Sequence, residues 1–303
     1  MAKKHIWRLQ LPRLHRRRVF LLRSLVTYFI ILPVALWLFL ILTSVARFPA
    51  QLRDAKLALV VVAHPDDESL FFGPTILSLT QRRAPGLQTG LLVLSSGCPL
   101  QLLKILSQQL THFGLIGDDD GKGHIRKAEV KAACAVLGIL KHHCEVLEMQ
   151  DLQDDPQQTW PPETVGAVVR YYVSRWRADA IITFDNTGVS GHENHIMVSD
   201  GALKIFAPTK PNIPVYTLTT TNVMRKYSLL GDLPLTFLKL VMEGMFSGQS
   251  GHSALFLNSF PMWCRGVTAF TRHSSQFSWG RYFYVVLSRY MWINDLELAR
   301  APE

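Results

Sequence analysis

Two short clusters of His, Asp and Glu carry most of the chemistry legible in this chain of 303 residues. The first, Ala63-His64-Pro65-Asp66-Asp67-Glu68, gathers one imidazole and three carboxylates within five residues. Adjacent acids cannot all ionise comfortably without a cation or a shared proton. Pro65 stiffens the turn, so His64 and Asp67, three apart, can converge on one cation while Asp66 points elsewhere. A solvated first turn of a helix offers the same acidic pattern, because Asp and Glu favour the positive end of the helix dipole. The second cluster, Gly191-His192-Glu193-Asn194-His195, sets two histidines on one helical face. A pair of that spacing is by itself common on protein surfaces. Two imidazoles and one carboxylate with open positions for water, however, make the donor set of a catalytic zinc or non-haem iron site.

Elements of alternating type must bring these clusters together. Residues 57–63, Leu-Ala-Leu-Val-Val-Val-Ala, form the continuous apolar run expected of a strand buried on both faces, and a helix follows over 69–81. Strands at 89–94, 144–148, 178–184 and 213–219 alternate with helices over 126–140, 163–177 and after Gly191. This rhythm predicts a doubly wound, mostly parallel sheet with helices on both faces and a ligand crevice at the carboxyl ends of its strands. His64–Glu68 ends the first strand and Thr183-Phe184-Asp185 ends the fourth, so both clusters fall at one sheet edge.

Charge and hydropathy divide the chain further. Residues 1–23 hold eight basic side chains and no acid, leaving 24 basic against 23 acidic over the rest. The net +9 is therefore a property of the tail, which removes the case for a nucleic-acid-binding face. Residues 24–46 contain no charge and are long enough to cross a ~30 Å hydrocarbon layer as one helix. A cleaved signal peptide would have a shorter apolar region. The expected organisation is a basic tail over 1–23, a transmembrane helix over 24–46, a linker over 51–56 and a catalytic domain over 57–298. Cys98, Cys134, Cys144 and Cys264 lack both C-x-x-C spacing and disulfide density, and read as buried thiols. Residues 98–123 form a long connection with an Asp118-Asp119-Asp120 run that lacks calcium-loop spacing. Trp279, Tyr282, Phe283, Tyr284, Tyr290 and Trp292, interleaved with Arg281 and Arg289, suit a core helix, with a membrane interface as the alternative.

The chain resembles the N-acetylglucosaminylphosphatidylinositol de-N-acetylase family (PIG-L type). The resemblance rests on the two clusters, on Gly123 with Arg126 and Glu129, on Asp151 through Pro156, on Thr183-Phe184-Asp185 and on Gly188-Val189-Ser190. Arg225-Lys226-Tyr227, Asp232-Leu233-Pro234-Leu235 and Ser288-Arg289-Tyr290-Met291 resemble its eukaryotic branch. It implies a Rossmann-like α/β fold and one divalent metal, zinc first, with iron or manganese compatible, held by His64, Asp67 and His195. It further implies Asp66 as general base, a charged His192 facing the oxyanion and Arg126 touching substrate, although Arg126 could equally pair with Glu129. The chain departs from some bacterial relatives in carrying Asn194 where they have an aspartate, which weakens the expected support for a charged His192.

The reaction implied is removal of acetate from N-acetylglucosaminyl-phosphatidylinositol (GlcNAc-PI), the second step of glycosylphosphatidylinositol (GPI) anchor synthesis, at the endoplasmic reticulum membrane. The alternatives are a deacetylase of another acetamido sugar and a catalytically idle membrane scaffold of the same fold. On orientation two arguments oppose each other. The basic tail favours a lumenal domain by the positive-inside rule, whereas the resemblance implies a single-pass protein with a cytoplasmic domain, consistent with the absence of any N-x-Ser/Thr acceptor.

Overall fold

The computed structural model describes residues 13–43, 49–81, 86–96, 122–154, 159–206, 213–246, 253–276 and 279–299. The long connection after Cys98, with its acidic run, and the first twelve residues of the basic tail lie outside this set. Helix α1 (Arg13–Val26), a π turn (Thr27–Ile31) and α2 (Leu32–Leu42) run on as one rod. Its segment Arg18–Leu42, 25 residues containing an 18-residue stretch with a mean hydropathy of 2.6, is long and apolar enough to cross a membrane. Half of the expected tail is thus helical. The π turn falls just before Pro33, whose missing N–H and bulky ring disturb the regular ladder one turn upstream.

The sheet has seven strands in the order β3-β2-β1-β4-β5-β7-β6. Strands β1 (Leu57–Val62), β2 (Gln88–Val93), β3 (Cys144–Val146), β4 (Ala180–Phe184) and β5 (Val215–Leu218) are all parallel. β6 (Ser253–Leu257) and β7 (Ile293–Leu298) extend the β5 edge, with β7 antiparallel to both its neighbours. Every residue of β1 is buried, as its unbroken apolar run requires.

Helices α3 (Gly73–Gln81), α4 (Lys122–Leu137), α5 (Pro162–Trp176), α6 (Glu193–Phe206), α7 (Leu233–Phe246), α8 (Phe260–Phe270) and α9 (Trp279–Leu287) surround the sheet. One face buries Phe72, Ile76, Val130, Leu137, Ala269 and Phe270; the other buries Leu59, Val61, Trp160, Val165, Val169 and Val198. On the second face α5 and α6 nearly touch. A Cβ on Gly201 would stand 2.5 Å from Val165 Cγ1 and 2.8 Å from Pro162 O, so only glycine admits this crossing, which fixes the helix that carries His195.

Four readings change. The helix expected over 69–81 is two, Asp67–Leu70 and α3, because Pro74 can open a helix but not continue one. Strands β6 and β7 were not foreseen from the sequence. The cysteines are not uniformly buried thiols: Cys134 on α4 and Cys144 on β3 form a disulfide, and Cys264 is exposed. The C-terminal aromatic stretch divides, with Tyr290 and Arg289 fully buried and Trp279, Tyr282 and Phe283 exposed on α9. Arg289 lies between Asp232 and Asp295, 2.8 Å from a carboxylate oxygen of each, and is a core residue.

Candidate metal centre and active site

β1 lies where the strand order reverses, between β2 and β4, and the crevice of a doubly wound sheet opens at that point. The chain leaves β1 through His64 and Pro65 and turns at Asp66, whose φ of 94° is left-handed. A non-glycine residue there costs roughly 1–3 kcal/mol and must be held by its surroundings. Glu68 does this. It is fully buried, accepts the Asp66 backbone N–H at 3.0 Å and the Ser69 hydroxyl at 2.6 Å, and meets His273 Nε2 at 2.6 Å. Burial works against a charge on His273, but the charge and hydrogen bond of Glu68, with the charges of Glu129 and Asp67, together raise the imidazole pKa.

The turn aims Asp67 at both metal-ligand candidates among the histidines. Asp67 Oδ2 accepts the His64 backbone N–H at 2.8 Å and lies 3.7 Å from His64 Nδ1 and 3.3 Å from His195 Nε2. Burial opposes ionisation of Asp67, yet the charge and side-chain contact of His195, the charge of His64 and the His64 N–H together lower its pKa.

His195 opens from α6. Its ring stacks on Phe184 at 3.9 Å and 2°. Its Nδ1 donates to the Gly188 carbonyl at 3.1 Å, which leaves the lone pair of Nε2 for a metal ion. That Nε2 is buried and, although close to Asp67, outside hydrogen-bonding alignment. Gly188 adopts φ 59°, and a Cβ there would sit 2.9 Å from His195 Cβ, so the approach of this carbonyl requires glycine.

His64 is held from its other side. Its Nε2 lies 3.0 Å from Asn194 Nδ2 and 3.2 Å from Asp154 Oδ1, and Asn194 also donates to Asp154 at 3.1 Å. Burial would depress the His64 pKa, and Arg126 adds to that. The hydrogen bond to Asp154 and the charges of Asp67 and Asp154 prevail and raise it.

The site fits a divalent cation. Donors about 2.1 Å from a tetrahedral zinc stand ~3.4 Å apart, and Asp67 Oδ2 lies at 3.3 and 3.7 Å from one nitrogen of each histidine. His64, His192 and His195 also form a group whose ligand nitrogens all lie within 4.8 Å of one another. The two possible triads share His64 and His195 and differ in Asp67 or His192 as third donor. His192 is exposed, stacks on His195 at 4.6 Å and meets the His64 ring edge-on at 5.0 Å. Burial and the two neighbouring imidazoles lower its pKa, so its surroundings work against the charged form expected from the sequence.

Arg126 donates to Ser96 O at 3.3 Å and acts electrostatically on His64 and Asp154, while Glu129 accepts three hydrogen bonds from Ser274 and Ser275. Asp185 stays out of the site: it accepts hydrogen bonds from Thr187, Gly188 and Thr220, tying the β4 loop to the β5 loop. Asn194 braces His64 and Asp154 rather than His192. Sequence reasoning missed Asp154, His273 and Arg281 of α9, whose guanidinium contacts the Asp66 carboxylate.

The fold is shared with a deacetylase of known structure. N,N'-diacetylchitobiose deacetylase from Pyrococcus horikoshii superposes with a TM-score of 0.52 at 15% identity, covering 83% of this chain and 86% of that one. In sequence, the profile of the GlcNAc-PI de-N-acetylase family, PIG-L, matches residues 59–206. N-acetylglucosaminyl-phosphatidylinositol de-N-acetylase from Bos taurus is 34% identical over 240 residues, 78% of this chain and 81% of the relative. A probable enzyme of the same name from Schizosaccharomyces pombe is 32% identical over 275 residues, 87% of this chain and 98% of the relative. The chain belongs to the PIG-L family of GlcNAc-PI de-N-acetylases.

The His64–Asp154 contact has a measurable sign. A histidine whose folded pKa is raised above 6.5 stabilises the protein fully below that value, and the contribution is lost as pH rises through the folded pKa. In metal-free protein, Asp154→Asn should therefore lower the melting temperature more at about pH 5.5 than at about pH 8. A deficit independent of pH would show that Asp154 does not set the His64 charge.

Proposed function

We propose that this protein hydrolyses the acetamide of N-acetylglucosaminyl-phosphatidylinositol, releasing acetate and a glucosaminyl lipid, in GPI-anchor synthesis. The observation that carries the reading is the convergence of His64, Asp67 and His195 at the switch point, with Asp66 beside them, in a chain whose relatives bear that activity in their names. His64, Asp67 and His195 would hold one divalent metal, with zinc favoured by the nitrogen-rich donor set and iron or manganese compatible. Bound there, the ion would acidify a water and polarise the acetamide carbonyl.

The rest falls to the chain's own groups. Asp66, set apart from the donors by its left-handed backbone, accepts the water proton and returns it to the glucosamine nitrogen as the C–N bond breaks. His192, at the open side of the cluster, donates a hydrogen bond to the oxyanion, which a neutral imidazole can also do, though more weakly than a charged one. Arg126 meets the lipid phosphate. An idle scaffold would have no need of an intact His64, Asp66, Asp67, His192 and His195 set. A soluble acetamido sugar would gain nothing from an apolar helix long enough to cross a membrane.

Asp66→Asn should cut turnover by roughly 10²–10⁴-fold with metal content unchanged, as expected for loss of a proton acceptor. His195→Ala should lose metal and turnover together. Mass spectrometry of the headgroup product, read beside metal analysis of each variant, checks both; equal metal loss in the two variants would sink this division of roles.

We further propose a single-pass protein of the endoplasmic reticulum membrane with its domain in the cytoplasm. The Cys134–Cys144 disulfide is a bond that an oxidising lumen preserves and a cytosolic glutathione pool reduces, so it stands with the basic tail on the lumenal side of the question. Protease added to sealed microsomes should remove a C-terminal tag if the domain is cytoplasmic. A protected tag would move the domain to the lumen.

A further inference from the structure

The apolar N-terminal helix is not a free tether. Past Leu32, Pro33 and Leu40 are buried, and Leu36, Trp37 and Ile41 pack with Leu233, Phe237 and Leu240 of α7, Leu255 and Leu257 of β6 and Ile293 of β7. Trp37 Nε1 donates to Asn258 O at 2.9 Å, and its ring meets Trp292 edge-on at 6.1 Å. The consequence is one of length. Arg23 is the last charge before Leu42. At ~1.5 Å per residue the helix climbs about 14 Å from Arg23 to Leu32, less than half of a ~30 Å hydrocarbon layer. Counting from Arg18, with Arg23 snorkelling, gives only about 21 Å. The remainder of any crossing is made by the stretch that lies against the domain.

Surfaces beside that stretch are apolar and uncovered. On α7, Leu235, Leu238 and Met242 form an exposed stripe next to a polar one, where Lys239 pairs with Glu243 and Glu297. The turn Leu229–Asp232, which touches α2, leads back to Val223–Lys226, where Val223 is 71% and Met224 84% exposed. Tyr227 packs edge-on against Tyr284 of α9 at 6.1 Å. Helix α9 itself turns Trp279, Tyr282, Phe283 and Val286 outward, with Trp279 79% exposed, and sends Arg281 inward to Asp66. A one-sided stripe of Trp, Phe and Tyr is how a helix lies in a membrane interface.

We infer that Val223–Lys226, α7 and α9 form a lipid-contacting collar continuous with the N-terminal helix, so that the domain is partly sunk into the bilayer and the α9 side of the site opens at headgroup level. This rests on the reading that the helix spans a membrane, and not on the deacetylase assignment. The occupant is lipid because the packed helix carries the hydrocarbon level onto the domain, and because the collar joins one exposed apolar stripe to the next.

The test uses the full chain in phosphatidylcholine nanodiscs, with Cys98→Ser and Cys264→Ser removing competing thiols. Nitroxide labels are placed at Leu238→Cys, Met242→Cys and Phe283→Cys, with controls at Leu140→Cys and Tyr171→Cys. Leu140 is an exposed apolar residue beside β3, at the sheet edge remote from β6, and Tyr171 is exposed on α5. Collision with apolar oxygen should exceed collision with a polar nickel chelate at the three collar positions, and the order should reverse at the controls. Collar labels as open to nickel as the controls would overturn the inference, and so would labels shielded from both reagents, which would mean a protein partner covers the face. No turnover enters this readout, so its failure leaves the deacetylase reading standing, and an inactive protein with lipid-exposed labels would have the converse meaning.

Discussion

A carboxylate buried at the carboxyl end of the central strand is the constraint around which the rest is arranged. Asp67 is almost fully enclosed, and an ion so placed must be compensated. The two imidazoles at 3.3 and 3.7 Å supply that compensation in the protein alone, and the same spacing suits a cation among them. Each imidazole is in turn fixed from behind, His195 by the Gly188 carbonyl and Phe184, His64 by Asn194 and Asp154. Outer partners of this sort set the tautomer and the aim of a metal-binding ring. Left-handed Asp66 belongs to the same economy of positions, since the turn that buries Asp67 sends its neighbour's carboxylate to Arg281 instead of to the donors, and the buried Glu68–His273 pair keeps that turn in place.

What could be read from the sequence follows from how local each signal is. The run at β1 and the His64–Glu68 turn are contiguous, so strand, turn and candidate donors are legible together, and the α6 histidines fall at an equivalent place after β4. β7 was opaque because Asn294 and Asp295 are poor strand residues until their partners are known: Asn294 is bonded to Thr75 and to the Phe71 carbonyl, and Asp295 to Arg289. Asp154 lies in the Asp151–Pro156 stretch that carries part of the resemblance, but its contact with His64 shows only in the fold, where its neighbour Gln153 accepts Trp160 Nε1 at 2.7 Å. His273 is 205 residues from Glu68 and Cys134 ten from Cys144, and neither spacing announces a contact.

The membrane and the chemistry meet in α9. Its outer face is aromatic and exposed, and its inner face delivers Arg281 to the residue proposed as general base. A lipid-borne sugar entering beside this helix would pass from headgroup level to the donor cluster without leaving the interface. Tethering alone raises local concentration; a docked helix also fixes the angle at which the crevice faces the lipid, which a flexible linker would leave free.

The central claim is the identity of the donors, and anomalous diffraction at the absorption edge of the bound metal tests it most directly. One ion should lie within ~2.0–2.2 Å of a nitrogen of His64, a nitrogen of His195 and an oxygen of Asp67, with His192 and Asp66 outside bonding distance. An ion held by His192 in place of Asp67, or lying away from the end of β1, would contradict the account.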